Sequence, residues 1–190
     1  MIDTVTSEFP LLETEHLILR EVNVSDAKAV FQVFSDREVT QYHDLEPPTQ
    51  VEQVKGLINR WSIRFNSKQG IRWGIAQKTN NVIIGSCGLT YKGSFLAEVG
   101  YELAKPYWRQ GIMTEALSAV LEFGFQTDDL NRIQAMVMLN NMASVSLLKK
   151  LGFLEEGILR EYGYWKGTSH DLRILSLLKR DYLFNQDFTR

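Results

Sequence analysis

The sequence predicts a mixed α/β (α+β) domain with a central, mostly antiparallel sheet of about seven strands flanked by four helices. Three observations lead to this prediction. Two segments with helical periodicity follow a short first strand, and the middle of the chain then changes to three short runs rich in β-branched and aromatic residues. The last third alternates helices with strands. This order is typical of a single sheet covered by helices.

The N-terminal third is predicted to contain one strand and two helices. Residues 17–22 interleave apolar and charged side chains, which is typical of a strand. Ser25 and Asp26 begin the first helix, and an apolar stripe over residues 54–65 marks the second. The opposite face of the second helix is basic, and we interpret it as a solvated face rather than a docking patch. This face carries Lys55, Arg60, Arg64 and Lys68.

The rest of the chain divides at turn residues. Residues 71–78, 82–91 and 98–104 predict an antiparallel meander. A helix over residues 111–126, a strand over 132–139 and a helix over 143–151 follow, and strands 153–165 and 171–178 form a closing hairpin. We expect one domain over residues 1–190, with residues 1–13 as a tail.

Composition limits the classes of function. The 190 residues include 21 Lys and Arg against 23 Asp and Glu, so the basic excess of a nucleic-acid binder is missing. No apolar run approaches the roughly 20 residues that cross a bilayer, and the N-terminus does not read as a signal peptide. We therefore expect a cytoplasmic protein, a monomer or homodimer, with neither nucleic acid nor membrane as a direct partner.

Cysteine and histidine usage argues against a metal centre or a thiol nucleophile. Cys87 is the single cysteine, which excludes an internal disulfide and fits a reducing compartment. It is interpreted as a small core residue. The three histidines lie in unrelated segments without metal-ligand spacing, so no metal is expected. His43 is interpreted as a surface loop residue, with a place near the acceptor cleft as the alternative.

The most informative stretch covers residues 98–117, where a strand ends at Lys105-Pro106 and a short loop leads into an amphipathic helix. The first N–H groups of a helix lack internal partners and, with the helix dipole, suit an anion. Gly111 allows close approach to the main chain, and Arg109 adds a charge suited to phosphate. The stretch matches neither the P-loop motif nor the dinucleotide-binding fingerprint. A CoA-like ligand bound by backbone amides is therefore a candidate, and an ordinary turn at the start of a helix is the alternative.

Four motifs carry a resemblance to a known family. Gly100-Tyr101, followed by Trp108-Arg109-Gln110-Gly111-Ile112-Met113-Thr114-Glu115-Ala116, resembles the acyl-CoA pyrophosphate loop of the GNAT acetyltransferases, in the RimJ/RimL-type branch. Residues 12–20, 141–153 and 156–171 are similar to further family motifs in the right order. The resemblance spans nearly the whole chain. It implies a GNAT-like fold and an N-acetyltransferase that uses acetyl-CoA as cosubstrate.

The resemblance also implies which residues bind acetyl-CoA. Backbone amides near Leu103 are expected to face the pantetheine arm, and those of residues 109–114 the pyrophosphate. The complete expected set is Leu103, Ala104, Arg109, Gln110, Gly111, Ile112, Met113, Thr114 and Asn141. Arg109 stands where many relatives have a glycine. Main-chain binding tolerates that change, whereas a required positive φ tolerates it less well.

Transfer of an acyl group to an amine requires that the amine lose a proton and that the oxyanion be stabilised. Glu98 and Glu102 lie on one face of a strand with Gly100 between them. The resemblance favours Glu98 as the base, while a bound water as proton relay and an ordinary surface role for both glutamates remain open. Where some relatives carry a late-strand glutamate, this chain has Gly163, with Glu161 two residues earlier.

The leaving thiolate must also be protonated, and two residues are candidates for that end of the reaction. Asn141 and Ser144 are placed to donate a hydrogen bond to the sulfur, directly or through water. Asn141 is equally suited to cap the helix that follows it. Binding both substrates side by side supplies much of the acceleration, so an enzyme nucleophile is unnecessary.

The acceptor is the most open part of the prediction. The resemblance favours the α-amino group of a protein N-terminus, of the ribosomal-protein type. A small amine such as a polyamine, amino acid or aminoglycoside is the alternative. A non-catalytic acyl-CoA-sensing module and an adaptor that uses the basic helix face are further alternatives. Tyr162, Tyr164 and Trp165 either wall an acceptor pocket or pack as ordinary strand residues.

Overall fold

A computed structural model describes residues 8–126 and 129–187, which form one eight-stranded sheet and six α-helices. The strands are β1 Leu12–Glu13, β2 Leu17–Arg20, β3 Gly70–Gln77, β4 Ile83–Tyr91, β5 Leu96–Leu103, β6 Arg132–Met138, β7 Leu154–Trp165 and β8 Thr168–Leu178. The helices are α1 Ala27–Phe34, α2 Arg37–Thr40, α3 Val51–Asn66, α4 Ile112–Gln126, α5 Met142–Lys150 and α6 Lys179–Asp187. The predicted fold class is confirmed.

The strands are ordered β1-β2-β3-β4-β5-β6-β8-β7. All neighbours are antiparallel except β5 and β6, which α4 connects. The predicted meander is confirmed as β3, β4 and β5, with Cys87 paired to Trp73 on one side and to Tyr101 on the other. The sheet is therefore antiparallel on both sides of a single parallel junction.

That junction is short. β5 and β6 pair only from Leu96 and Arg132 to Glu98 and Gln134, whereas β5 pairs with β4 as far as Leu103. From residue 99 onward, the edge of β5 that faces β6 has no strand beside it. An opening in the middle of the sheet follows, because its two halves are no longer joined there.

Helices cover both faces of the sheet. One core joins α4 and α5 to the strands and is built around fully buried side chains, among them Trp73, Leu117, Ile133 and Leu148. The second core joins α1 and α3 to the opposite face. Its members include Val22, Val30, Val54, Ile58 and Ile83. Across the two described ranges, none of the helices combines the length and the apolar character needed to cross a membrane.

Part of the segment expected to be a tail is instead structured. Leu12–Glu13 forms β1, and the Trp73 indole Nε1–H donates to the Pro10 carbonyl at 2.7 Å. The Phe9 and Phe65 rings pack with centroids 4.8 Å apart. Leu12 and Glu13 therefore belong to the sheet, and Phe9 and Leu12 pack against its core, while residues 1–7 lie outside the described residues. β1, together with the short α2 and the C-terminal α6, accounts for the elements beyond the seven strands and four helices that were predicted.

Candidate active site

The loop before α4 presents its backbone outward. The Trp108 indole N–H donates to the Leu103 carbonyl at 2.7 Å, and the Gln110 amide Nε2 donates to the Pro106 carbonyl at 2.7 Å. Within the described ranges, the backbone N–H groups of residues 109–114 have no bonded acceptor. A Cβ added to Gly111 would meet no atom within 4 Å. These N–H groups at the positive end of α4 suit the phosphates of coenzyme A.

Two residues of this loop have left-handed backbone conformations. Arg109 has φ +60° and Gly111 has φ +80°. The position at which relatives carry glycine therefore does adopt a positive φ in this chain, and the arginine bears a conformational cost on the order of 1–2 kcal/mol. The same residue places an exposed arginine side chain beside the N-terminus of α4.

Glu115 fastens the first turn of α4 to the turn between β1 and β2. Its carboxylate accepts hydrogen bonds from the Thr14 hydroxyl at 2.5 Å and from the His16 backbone N–H at 2.8 Å. Burial disfavours its ionisation, but the bonds from Thr14 and His16 outweigh burial and lower the pKa of Glu115. The orientation of the helix N-terminus is thereby fixed from the far edge of the sheet.

The open edge of β5 offers backbone groups to a ligand. The Ala104 N–H donates to the Ile84 carbonyl at 2.8 Å, and because antiparallel bonding alternates, the even-numbered residues of β5 bond β4. The backbone N–H and carbonyl of Tyr101 and the N–H of Leu103 consequently face the opening, whereas the Leu103 carbonyl accepts the Trp108 indole N–H. The Ala104 N–H, which was expected to face a ligand, is instead engaged within the sheet. Tyr101, which lies on the same edge as Leu103, was not among the residues expected to bind acetyl-CoA.

A cavity of about 660 Å³ lies where β5 and β6 separate, between α3, α5 and β7. It brings together all three predicted catalytic residues, Glu98, Asn141 and Ser144. The Glu98 carboxylate, about a quarter exposed, pairs with Lys92 Nζ at 3.1 Å. We call this cavity the cleft.

Ser144 is held at its backbone by Asn141 and at its hydroxyl by Tyr101. Asn141 Oδ1 accepts the Ser144 backbone N–H at 3.2 Å, so the predicted helix cap is confirmed. The Tyr101 hydroxyl lies 2.6 Å from Ser144 Oγ. Burial raises the pKa of Tyr101 to about 12, against the opposing effect of the bond with Ser144. Tyr101 is therefore a protonated phenol at any physiological pH.

The floor of the cleft holds a buried ion pair. Arg72 donates to one oxygen of Glu102 and the Ser86 hydroxyl donates to the other. The Arg72 guanidinium lies 5.7 Å from the centre of the Trp61 ring. Since both oxygens of Glu102 already accept hydrogen bonds, Glu98 is the freer of the two carboxylates on this face.

His43 is half-buried in the loop between α2 and α3 and lines the cleft, which agrees with the alternative that places it near the acceptor site. Its ring packs edge-on against Phe34, with centroids 6.1 Å apart. Burial lowers the pKa of His43. A neutral imidazole therefore contributes to the wall of the cleft.

The hairpin of β7 and β8 supplies the opposite wall. Tyr162 and Trp165 line the cleft, whereas Tyr164 is three-quarters exposed and does not. Gly163 also lines it, and a Cβ at that position would overlap the Trp165 indole, 1.9 Å from the nearest ring atom. The position at which some relatives carry a glutamate is thus covered by an aromatic ring. Glu161 does not line the cleft, and its backbone N–H donates to Asp171 at 2.7 Å.

Two further expectations concern cysteine and metals. Cys87 is fully buried, and burial raises the pKa of its thiol to about 12, so its assignment to the core is confirmed. No group of three or more His, Cys, Asp or Glu side chains with the placement of a metal site occurs in residues 8–126 and 129–187.

Residues 16–154 match the family model described as an acetyltransferase (GNAT) domain. The chain is 42% identical over 174 residues to the protein of Bacillus subtilis (strain 168) named "Uncharacterized N-acetyltransferase YoaA", covering 90% of this chain and 98% of that one. It is 29% identical to the "[Ribosomal protein uS5]-alanine N-acetyltransferase" of Escherichia coli (strain K12), covering 82% and 86%.

Solved structures agree in fold. A ribosomal L7/L12 alpha-N-protein acetyltransferase in complex with coenzyme A superposes with a TM-score of 0.79 at 20% identity, covering 89% of this chain and 98% of that one. At this identity the likeness concerns the fold alone. It places the arrangement of strands and helices described above in the same architecture.

Proposed function

Because the chain belongs to the GNAT acetyltransferase family, whose acyl donor is acetyl-CoA, we propose that it acetylates the α-amino group of a protein N-terminus by direct attack of the amine on the thioester. One observation carries the proposal. The open edge of β5 continues, through Leu103, to the free N–H groups before α4, and it borders the cleft that holds Glu98 and Ser144. The name of the Escherichia coli relative favours a ribosomal protein as acceptor.

The residues fit the cosubstrate at both of its polar parts. The N–H groups of residues 109–114 and the Arg109 guanidinium suit the pyrophosphate, since main-chain donors and arginine both bind phosphate oxygens well. The N–H groups of Tyr101 and Leu103 suit the amides of the pantetheine arm, which would add to β5 much as a strand does. Acetyl-CoA supplies the activated acetyl group.

The reaction requires two proton movements. The amine nitrogen bonds to the thioester carbon and loses a proton, and the carbon–sulfur bond breaks as the sulfur gains one. We assign the first proton to Glu98, received directly or through a water. We assign donation toward the sulfur to Ser144, whose hydroxyl is held near Tyr101. Asn141 acts by positioning Ser144 through the helix cap.

Direct attack agrees with the chemistry of the buried groups. The one thiol, Cys87, is fully buried in the core and is not among the residues lining the cleft, so it does not serve as an acyl carrier. A free thiol also accords with a reducing compartment, and we propose that the protein works in the cytoplasm.

The test compares acceptors. Purified protein is incubated with acetyl-CoA and either N-terminal peptides or small amines, with thiol release measured and the acetylated nitrogen identified by mass spectrometry. Acetylation of peptide α-amino groups supports the proposal, whereas turnover confined to small amines overturns the choice of acceptor. Tight binding of acetyl-CoA without turnover on any acceptor would indicate a sensor.

The base is tested separately. Glu98→Gln should lower kcat/KM by about 10²-fold or more, as is usual for loss of a general base, and should flatten the dependence of rate on pH. Lys92→Gln is the matched control, because it removes the ionic partner of Glu98 and leaves the carboxylate in place. Equal activity of Glu98→Gln and wild type would remove Glu98 from the mechanism.

A further inference from the structure

α3 places two arginines on the rim of the cleft. Arg60 and Arg64 line it together with Leu57 and Trp61, and these four positions are spaced as one face of a helix. Lys55 does not line the cleft and instead pairs with the carboxylate of Glu52, one turn earlier, at 2.5 Å. The basic side of α3 is therefore divided: Arg60 and Arg64 are exposed at the rim of the cleft, whereas Lys55 lies outside it.

Neither arginine has a carboxylate partner in the part of the chain that the structure describes. Arg64 Nη1 donates to the Thr90 hydroxyl at 3.3 Å, a neutral and long contact. The Arg60 side chain runs back along α3 toward Gly56. Its Nη1 atom would lie 3.9 Å from a Cβ added to that glycine. Both residues are exposed and line the cleft, and the contact of Arg64 with Thr90 is the one hydrogen bond that either guanidinium makes among the described residues, so most of their donors are available to a ligand.

Most of the other charged side chains that line the cleft have a partner of opposite charge. Arg72 pairs with Glu102, and Glu98 pairs with Lys92. Asp44, on the loop between α2 and α3, is the other carboxylate that lines the cleft. Among the described residues that line the cleft, two arginines thus have no carboxylate partner and one acid, Asp44, has no basic partner, which leaves the α3 side of the cleft positive.

The spacing of the two arginines costs helix stability. Like charges four residues apart on a helix repel each other, and no acidic residue stands three or four positions from either arginine to offset the repulsion. A pair of guanidinium groups on adjacent turns is, however, well suited to hold a carboxylate through paired hydrogen bonds. An anionic group entering the cleft would relieve the repulsion and match both charges.

We propose that Arg60 and Arg64 bind an acidic side chain of the acceptor, so that the enzyme prefers peptides with Asp or Glu within their first few residues. The inference rests on the proposed function, which supplies the α-amino group as the reacting end. An extended peptide advances about 3.3 Å per residue, so its early side chains reach the rim of the cleft while its amine lies deeper. Selectivity is then set by α3, away from the reacting atoms.

The experiment measures kcat/KM for paired peptides that differ only by Glu or Gln at the second, third or fourth residue. Wild type should prefer the Glu peptide by about tenfold or more at one of these positions, mainly through KM, because a charge-assisted hydrogen bond is lost in the Gln peptide. The preference should fall as salt is raised, since both groups are exposed. Arg60→Gln and Arg64→Gln should each reduce the preference, and the double variant should remove it.

Lys55→Gln is the matched control, with the same change of charge on the same helix but outside the cleft, and it should retain the preference. Arg60→Glu/Arg64→Glu should reverse it in favour of peptides with Lys at that position. Equal rates on Glu and Gln peptides in wild type, or equal losses on both in the arginine variants, would overturn the inference while leaving N-terminal acetylation intact.

Failure of the proposed function has a different signature. If no peptide is acetylated, small primary amines with a carboxylate are compared with their amides, on wild type and the double Gln variant. If wild type prefers the carboxylate and the double variant does not, α3 binds an anion. That anion then belongs to a small amine and not to a peptide. Absence of any such preference, or of any turnover, overturns the inference. Thermal unfolding of each variant confirms that it is folded.

Discussion

The hydroxyl of Tyr101 on β5 lies 2.6 Å from the hydroxyl of Ser144 on α5, across the opening where β5 and β6 separate. The pair bridges two elements that the sheet itself no longer connects at this point. The cap formed by Asn141 fixes the backbone of Ser144, while Tyr101 fixes its hydroxyl. The serine is thus oriented before any substrate arrives, as a group acting on a leaving thiolate needs to be.

Ser144→Ala should lower kcat by about 10- to 100-fold with little change in the dissociation constant for acetyl-CoA, because the hydroxyl is proposed to act on the leaving sulfur rather than on the phosphates. Tyr101→Phe should have a smaller effect on kcat, since Ser144 remains but is no longer oriented. Stopped-flow measurement of acetyl transfer and calorimetric titration of coenzyme A separate the two parameters.

Ser146→Ala is the control for this pair, because Ser146 is exposed on the same helix and does not line the cleft. Its kinetics should match those of wild type. An unchanged kcat in Ser144→Ala would retire the serine as a catalytic group and leave the protonation of the sulfur to water.

The loop before α4 makes a second prediction. Gly111→Asp should abolish binding of coenzyme A, because the carboxylate would enter the site proposed for the phosphates. Gly111→Asn is the matched control, since both side chains are nearly equal in size and both strain a residue with φ +80°. Calorimetry should show weakened binding for Asn and none for Asp.

A remote variant distinguishes this local effect from a loss of folding. Gly93 also has a positive φ, +94°, and open space around its Cα. Gly93→Asp should therefore be strained in a similar way and yet bind coenzyme A like wild type. Equal binding by Gly111→Asp and Gly111→Asn would contradict the placement of the pyrophosphate.

The sequence was sufficient for the fold class and for the loop before α4, because both depend on local pattern. The motif of residues 108–116 occupies consecutive positions, and the periods of the strands and helices are visible within short windows. The ion pair of Arg72 and Glu102 could not be predicted from the sequence. It depends on the register of β3, β4 and β5, which places residues 30 positions apart side by side.

The cleft was hidden for the same reason. Arg60, Arg64 and His43 lie on segments that look solvent-exposed when taken alone, and only the packing of α3 and the preceding loop over the sheet brings them to one cleft. Gly163 appeared to be a missing base, but the structure shows an indole in that space. Such features depend on tertiary contacts, and no single segment encodes them.

The buried ion pair makes a prediction about stability. Arg72→Met should reduce the free energy of unfolding by about 3–5 kcal/mol, because it leaves the nearly inaccessible carboxylate of Glu102 without its ionic partner. The double variant Arg72→Met/Glu102→Leu should recover much of that loss. Lys55→Met, which breaks an exposed pair, should cost less than about 1 kcal/mol. Urea unfolding monitored by tryptophan fluorescence measures all three, and a larger loss in the double than in the single variant would be inconsistent with the pairing.

The last prediction concerns acid stability and the strands beyond the opening. Both oxygens of Glu156 accept hydrogen bonds from Arg132, at 2.8 and 2.5 Å, and the Ser176 hydroxyl donates at 2.6 Å. The bonds from Arg132, followed by that from Ser176, lower the pKa of Glu156 to about 2. A carboxylate with a depressed pKa in the folded state stabilises the protein above its ordinary pKa, and the contribution is lost as the pH falls toward the folded value.

Glu156→Gln should therefore lower the melting temperature at pH 7, and the difference from wild type should shrink between about pH 5 and pH 2 as the wild-type carboxylate is protonated. The difference at pH 7 should be modest, because Glu156 is about two-fifths exposed and solvent screens the pair. Arg132→Met removes the main cause of the shift and should show the same convergence with wild type at low pH. A difference that stays constant from pH 7 to pH 2 would mean that Glu156 acts through packing, and the charge of the pair would then have no part in holding β6, β7 and β8 together.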